Sequence, residues 1–79
     1  MITAVRVELS RNEFETIVLL SKGFQSKEIA VKLGKSKPTV EGYVRTLYVK
    51  LEARSRAQIV ARALLLGLIG ADTVLSARV

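Results

Sequence analysis

Apolar positions along the chain recur in four separated blocks, each at helical spacing and each opened by a serine. In the first block Phe14, Ile17, Val18 and Leu20 fall on one side of a 3.6-residue period. Ser10 stands just ahead, and Glu13 follows three residues later. That is the signature of a capping box, in which hydroxyl and carboxylate each bond the other residue's backbone N–H. Gly23 suits the left-handed position beyond a helix C-terminus. The pattern predicts a helix from about Arg11 to Lys22. In the second block Ser26 opens and Gly34 closes a helix with Ile29, Ala30 and Leu33 on its inner stripe. Barely two turns long, it is too short to be stable alone and needs neighbours to hold it.

The third block begins at Ser36. Pro38 is tolerated there because a first-turn N–H has no intrahelical partner. Val40, Val44, Leu47 and Leu51 define one face, and Lys37, Glu41 and Arg45 define another at i, i+4, i+8, to an end near Glu52. Ser55 opens a fourth helix carrying Ile59, Val60, Ala63, Leu64 and Leu66. Its apolar side is too wide for a small core to absorb entirely. Gly67 and Gly70 end it, with Leu68 and Ile69 able to continue the packing. Residues 71–79 carry no clear element. The reading is an all-α domain over residues 9–70, with an N-terminal arm at 1–8 and a C-terminal tail at 71–79.

Composition narrows the chemistry. With 49 % hydrophobic and 25 % charged residues in 79, the chain suits one small globular domain with a modest core. It has no cysteine and no histidine, which removes a disulfide framework, a zinc site, the usual imidazole base and a thiol nucleophile. No paired carboxylates fall in a plausible pocket, so an enzyme is not expected and no cofactor is implied. The longest uncharged apolar run, "ALLLGLIGA" at 63–71, is well short of the roughly 20 residues a membrane span needs. No signal peptide is visible, and the expected setting is cytoplasmic, of bacterial or phage type and associated with the nucleoid.

Charge adds the first functional hint. The net charge is +6, and Lys22, Lys27, Lys32, Lys35 and Lys37 lie in one stretch against Glu28 alone. Such a balance points to a polyanionic partner, with a solvated, solubilising face as the plain alternative. Two short helices joined through "LGKS", the second capped and basic, describe a helix-turn-helix, whose second helix enters the DNA major groove while the first braces it.

Beyond spacing, "LSRNEFETIVLLSKG", "SKEIAVKLGKSKPTV", "VRTLYVKL" and "SRAQIVARALLLGLI" resemble the DNA-binding domain of LuxR/GerE-type transcription regulators. The resemblance runs ungapped from Leu9 to Ile69. It implies a four-helix LuxR/GerE-like helix-turn-helix domain that binds duplex DNA as a dimer, its third helix in the major groove and its fourth supplying much of the dimer contact. Carried across, the base-facing positions fall on Glu41, Gly42 and Arg45. The phosphate-contacting positions fall on Ser26, Lys27, Ser36, Lys37 and Thr39, with Lys50 and Arg56 reading equally as ordinary surface charges.

Independent chemistry suits these roles. Helix N-termini and hydroxyls receive anionic oxygens, lysines displace counterions, and arginine bonds two acceptors of guanine. Ser26 and Ser36 also read as simple N-caps, and Thr39 as bonding only its own helix backbone. Tyr43, where the family usually has histidine, either offers its hydroxyl to a phosphate or is core edge. The dimer positions are Ile59, Val60, Ala63, Leu66 and Gly67, widened by Val74 and Leu75, unless these residues pack only within one chain.

Glu41 departs from the family, which most often has lysine there. An acid in the groove accepts from the N4 amino group of cytosine, and it can pair with Lys37 or Arg45. Gly42 permits close approach to the bases at a cost of about 1 kcal/mol of helix stability. The favoured reading is an altered base preference. The alternative is a reading surface turned to protein binding, giving an adaptor or inhibitor that pairs with another regulator or contacts the transcription machinery. Family members usually carry a sensor domain ahead of this one. Eight residues precede Leu9, so the expectation is a regulator without a sensor.

Overall fold

The computed structural model describes residues 7–76 and is all-helical over them. Most of the arm and the last three residues of the tail lie outside the described residues. In chain order the helices are α1 (Arg11–Ser21), α2 (Ser26–Leu33), α3 (Lys37–Lys50), α4 (Arg56–Leu65) and α5 (Ala71–Leu75). The starts follow the caps. Ser10 Oγ accepts from the Glu13 N–H at 3.1 Å, and the Ser10 N–H donates to Glu13 Oε1 at 2.9 Å. Ser36 Oγ accepts from the Thr39 N–H, and Ser55 Oγ from the Gln58 N–H.

α2 starts differently from the expectation. Gln25, extended at φ −93° and ψ 168°, is its N-cap, and its N–H donates to Glu28 Oε1 at 2.9 Å. Ser26 is therefore the first helical residue, turned inward and buried.

The first four helices end alike. One residue past α2, and two past α1, α3 and α4, the backbone turns left-handed, and the next N–H reaches back to a carbonyl in the last turn. These bonds run from Phe24 to Leu19, Lys35 to Ala30, Ala53 to Tyr48 and Leu68 to Ala63. At three of the four ends the left-handed residue is glycine; after α3 it is Glu52, at φ 53°. A side chain there meets the carbonyl clash that glycine avoids.

The core gathers Ile17 and Leu20 from α1, Ile29 and Ala30 from α2, Val40, Val44, Leu47 and Leu51 along α3, Ile59 and Ala63 from α4, and Ile69 beyond it. Each large aliphatic side chain removed from water contributes about 1.5–3 kcal/mol before entropy is counted. α3 packs on both α1 and α2, and α4 lies against α1, so the short second helix is held from outside itself. Phe14, expected on the inner stripe, is 42 % exposed. It edges a groove with Val18, Leu19, Lys32 and Leu33. The tail, expected to be without structure, adds the single-turn helix α5, whose Val74 packs against the core while Leu75 faces water. The architecture is thus the expected helix-turn-helix fold with one short helix more.

Candidate nucleic-acid interface

α2 and α3 are joined by a tight turn at Gly34, left-handed at φ 67°, followed by Lys35 and Ser36. With Val40, Val44 and Leu47 committed to the core, geometry puts Lys37, Glu41 and Arg45 on another face of α3, one turn apart. Lys37 and Arg45 are exposed, and Glu41 is half-buried. Gly42 lies beside Glu41 with open space where a Cβ would stand.

At the head of this face is a cleft of about 400 Å³ lined by Gln25, Ser26, Lys27, Lys37, Glu41 and Arg56. Three helix starts converge there: Ser26 and Lys27 open α2, Lys37 opens α3 and Arg56 opens α4. The first-turn N–H groups and partial positive charge of helix N-termini suit an anion. Lys27, Lys37 and Arg56 add three full charges.

Arg56 is fixed from inside. Its Nη2 donates to the buried Ser26 Oγ at 3.0 Å, across 30 residues of sequence. The Ser26 hydroxyl is thus occupied by Arg56 instead of capping α2. Lys37 Nζ lies 3.9 Å from Glu41 Oε2, with both side chains partly exposed. Of the two partners sequence spacing offered Glu41, the structure selects Lys37. Ser36 and Thr39 sit exposed at the start of α3, where Ser36 Oγ donates to Thr39 Oγ1 at 2.9 Å.

Lys50 is not gathered with the others. Its Nζ donates to Glu13 Oε1 at 2.7 Å and to the Glu8 carbonyl at 2.8 Å, tying the far end of α3 to the start of α1. Burial pushes the Glu13 carboxyl up. Hydrogen bonds from Lys50 and the Ser10 N–H, with the Lys50 charge, outweigh it and hold the group below its ordinary value. Tyr43 packs partly buried against the core.

Burial also redraws the fourth-helix candidates. Ile59 and Ala63 are fully buried within this chain. They form its core and are not available to a second protomer. Val60 is half-buried, whereas Leu66 and Gly67 are exposed. The apolar surface lies instead on Leu64, Leu65, Leu66 and, from the tail, Leu75.

Sequence reading missed Gln25, which lines the cleft; its signal was its place one residue before Ser26, at a helix start. It also missed the Ser26–Arg56 bond, for which local spacing carries no signal. Among the described residues no helix is long and apolar enough to cross a membrane.

Comparison with known proteins identifies the family. The family model of bacterial regulatory proteins, luxR family, matches residues 7–63. The transcriptional regulatory protein YdfI of Bacillus subtilis is 41 % identical over 69 residues, covering 85 % of this chain and 32 % of YdfI. The oxygen regulatory protein NreC of Staphylococcus haemolyticus is 39 % identical over 56 residues, 71 % of this chain and 26 % of that protein. NreC of Staphylococcus aureus is 41 % identical over the same length and shares. The chain thus spans about a quarter to a third of these relatives. No solved structure matches it at a significant level. A capped helix-turn-helix, a cationic cleft where three helices begin, and a family match over most of the chain lead to one assignment: this protein belongs to the luxR family of bacterial regulatory proteins, whose helix-turn-helix domains bind DNA to regulate transcription.

Proposed function

We propose that this chain is a sequence-specific binder of double-stranded DNA that regulates transcription in the cytoplasm, with α3 in the major groove. The observation that carries this reading is the cleft at the three helix starts, where Lys27, Lys37 and an anchored Arg56 converge beside the face bearing Glu41 and Arg45. A backbone phosphate in the cleft sets the register of α3. Arg45 then reads guanine through its two-donor fork, Glu41 accepts from cytosine, and Gly42 lets the helix approach closely. Ser36 and Thr39 add hydroxyls, and their helix start adds N–H donors, toward the next phosphate.

The test is duplex binding followed by fluorescence anisotropy across a salt series. About five phosphate contacts give a log–log slope near −4 to −5. Lys27→Ala weakens binding to all duplexes alike, whereas Arg45→Ala removes sequence preference. If both variants bind as the parent does, the assignment of α3 as the reading helix is wrong.

The exposed leucines favour a second component of this reading. Leu65 is 86 % and Leu66 52 % exposed, next to half-buried Val60. A two-fold contact through Val60, Leu65, Leu66 and Gly67 makes a homodimer reading half-sites about 10 base pairs apart. Leu65→Glu then yields a monomer in sedimentation and a large loss of affinity for a two-half-site duplex. A parent that sediments as a monomer both free and on DNA overturns the dimer. A stable heterodimer with little duplex affinity identifies a protein adaptor instead.

A further inference from the structure

The cationic cleft holds one residue of the wrong sign for a phosphate site. Lys27, Lys37 and Arg56 line it with Glu41, and Glu41 Oε2 stands 3.9 Å from Lys37 Nζ. The separation exceeds a hydrogen bond, and the two side chains are 58 % and 45 % exposed. The pair is loose enough to open when a competing anion arrives. Arg45, one turn further along α3, is the other cation within helical reach of Glu41.

Resting on the DNA-binding reading above, we propose that Glu41 is the internal counter-ion of this cleft and sets specificity by penalty. In the free protein its carboxylate neutralises part of the charge that would bind any phosphate. When DNA enters, Lys37 turns to the phosphate and Glu41 is left close to phosphate oxygens without a partner. A base edge that offers a hydrogen-bond donor, such as the cytosine N4 amino group, restores one. Every other sequence leaves the carboxylate desolvated and repelled. Glu41 therefore discriminates mainly by weakening the wrong complexes, and less by strengthening the right one. This differs from simple base reading, in which removing the acid lowers affinity for the preferred site and leaves other duplexes untouched.

The experiment compares the parent with Glu41→Gln and Glu41→Ala on two probes. One is a mixed-sequence duplex of about 20 base pairs; the other is the duplex that the parent chain selects from a random pool. Glu41→Ala controls for hydrogen bonds a glutamine amide makes to bases, and both variants should melt as the parent does, because the position is partly exposed.

On the mixed-sequence probe both variants gain about three- to tenfold in affinity, and the salt slope steepens by about 0.9 as the cleft recovers one effective charge. On the selected probe affinity holds or falls, so the preference ratio drops by at least the same factor. Unchanged or weaker mixed-sequence binding by both variants overturns the counter-ion role while leaving DNA binding intact, and so does an equal gain on both probes. Failure of the parent to bind any duplex at low salt removes the DNA-binding reading and this inference together.

Discussion

Lys50 Nζ and Glu13 Oε1 are 2.7 Å apart, and this one ion pair joins the end of α3 to the capping box of α1. Lys50 also holds the Glu8 carbonyl, so three backbone segments meet at its ammonium group. Two of its three donors are spent inside the chain. Lys50→Met should therefore lower stability by about 1–3 kcal/mol, because Glu13 stays largely buried without its cation. Affinity of the folded variant for duplex DNA should remain close to the parent's once helix content is shown intact. Denaturant melts and anisotropy titrations measure the two effects separately.

The same pair dictates an acid response. Glu13 has a folded-state pKa below its ordinary value. Its stabilisation is fully present above the unfolded carboxylate pKa of about 4.3 and is lost as pH falls through the lower folded value. Between the two the unfolded chain binds more protons, so stability rises with pH. Without Lys50, burial is the leading influence on Glu13 and acts in the opposite direction. The stability-versus-pH slope of Lys50→Met should then be shallower than the parent's between about pH 3 and 5. Urea melts at a series of pH values measure it.

Ser26 stands inside the first turn of α2, past the Gln25 cap, and its hydroxyl receives the Arg56 guanidinium from the start of α4. Ser26→Ala releases that guanidinium. Because Arg56 is exposed and rehydrates, the stability loss should stay near 1 kcal/mol or less. Duplex affinity should fall by a similar factor in Ser26→Ala and Arg56→Ala, and the double variant should be little worse than either. Additive losses would mean that Ser26 meets the phosphate by itself.

Glu52 occupies the left-handed position that glycine fills after α1, α2 and α4. Its side chain is exposed, so replacing it removes backbone strain without leaving a cavity. Glu52→Gly should stabilise the domain by about 0.5–1 kcal/mol, the relief of strain exceeding glycine's greater unfolded-state entropy. A thermal melt reads this as a rise of several degrees.

Local chemistry wrote the helices into the sequence. Caps at Ser10, Ser36 and Ser55, a proline in the first turn of α3 and glycines past three helix ends act over three or four residues, so spacing alone discloses them. The stripe Val40, Val44, Leu47, Leu51 likewise fixes which side of α3 faces inward, and hence that Lys37, Glu41 and Arg45 share another side. Sequence also left Glu41 a choice between Lys37 and Arg45, both at allowed spacing, and only side-chain placement within the cleft decided for Lys37. What local periodicity cannot carry is contact between distant segments. Burial of Ile59 and Ala63 depends on α4 crossing α1, the Ser26–Arg56 bond on two helix starts meeting, and the Lys50–Glu13 pair on α3 ending beside the head of α1. Those three facts sort the basic and apolar residues into exposed face, internal strut and core, because charge and hydropathy are properties of a residue while partnership belongs to the fold.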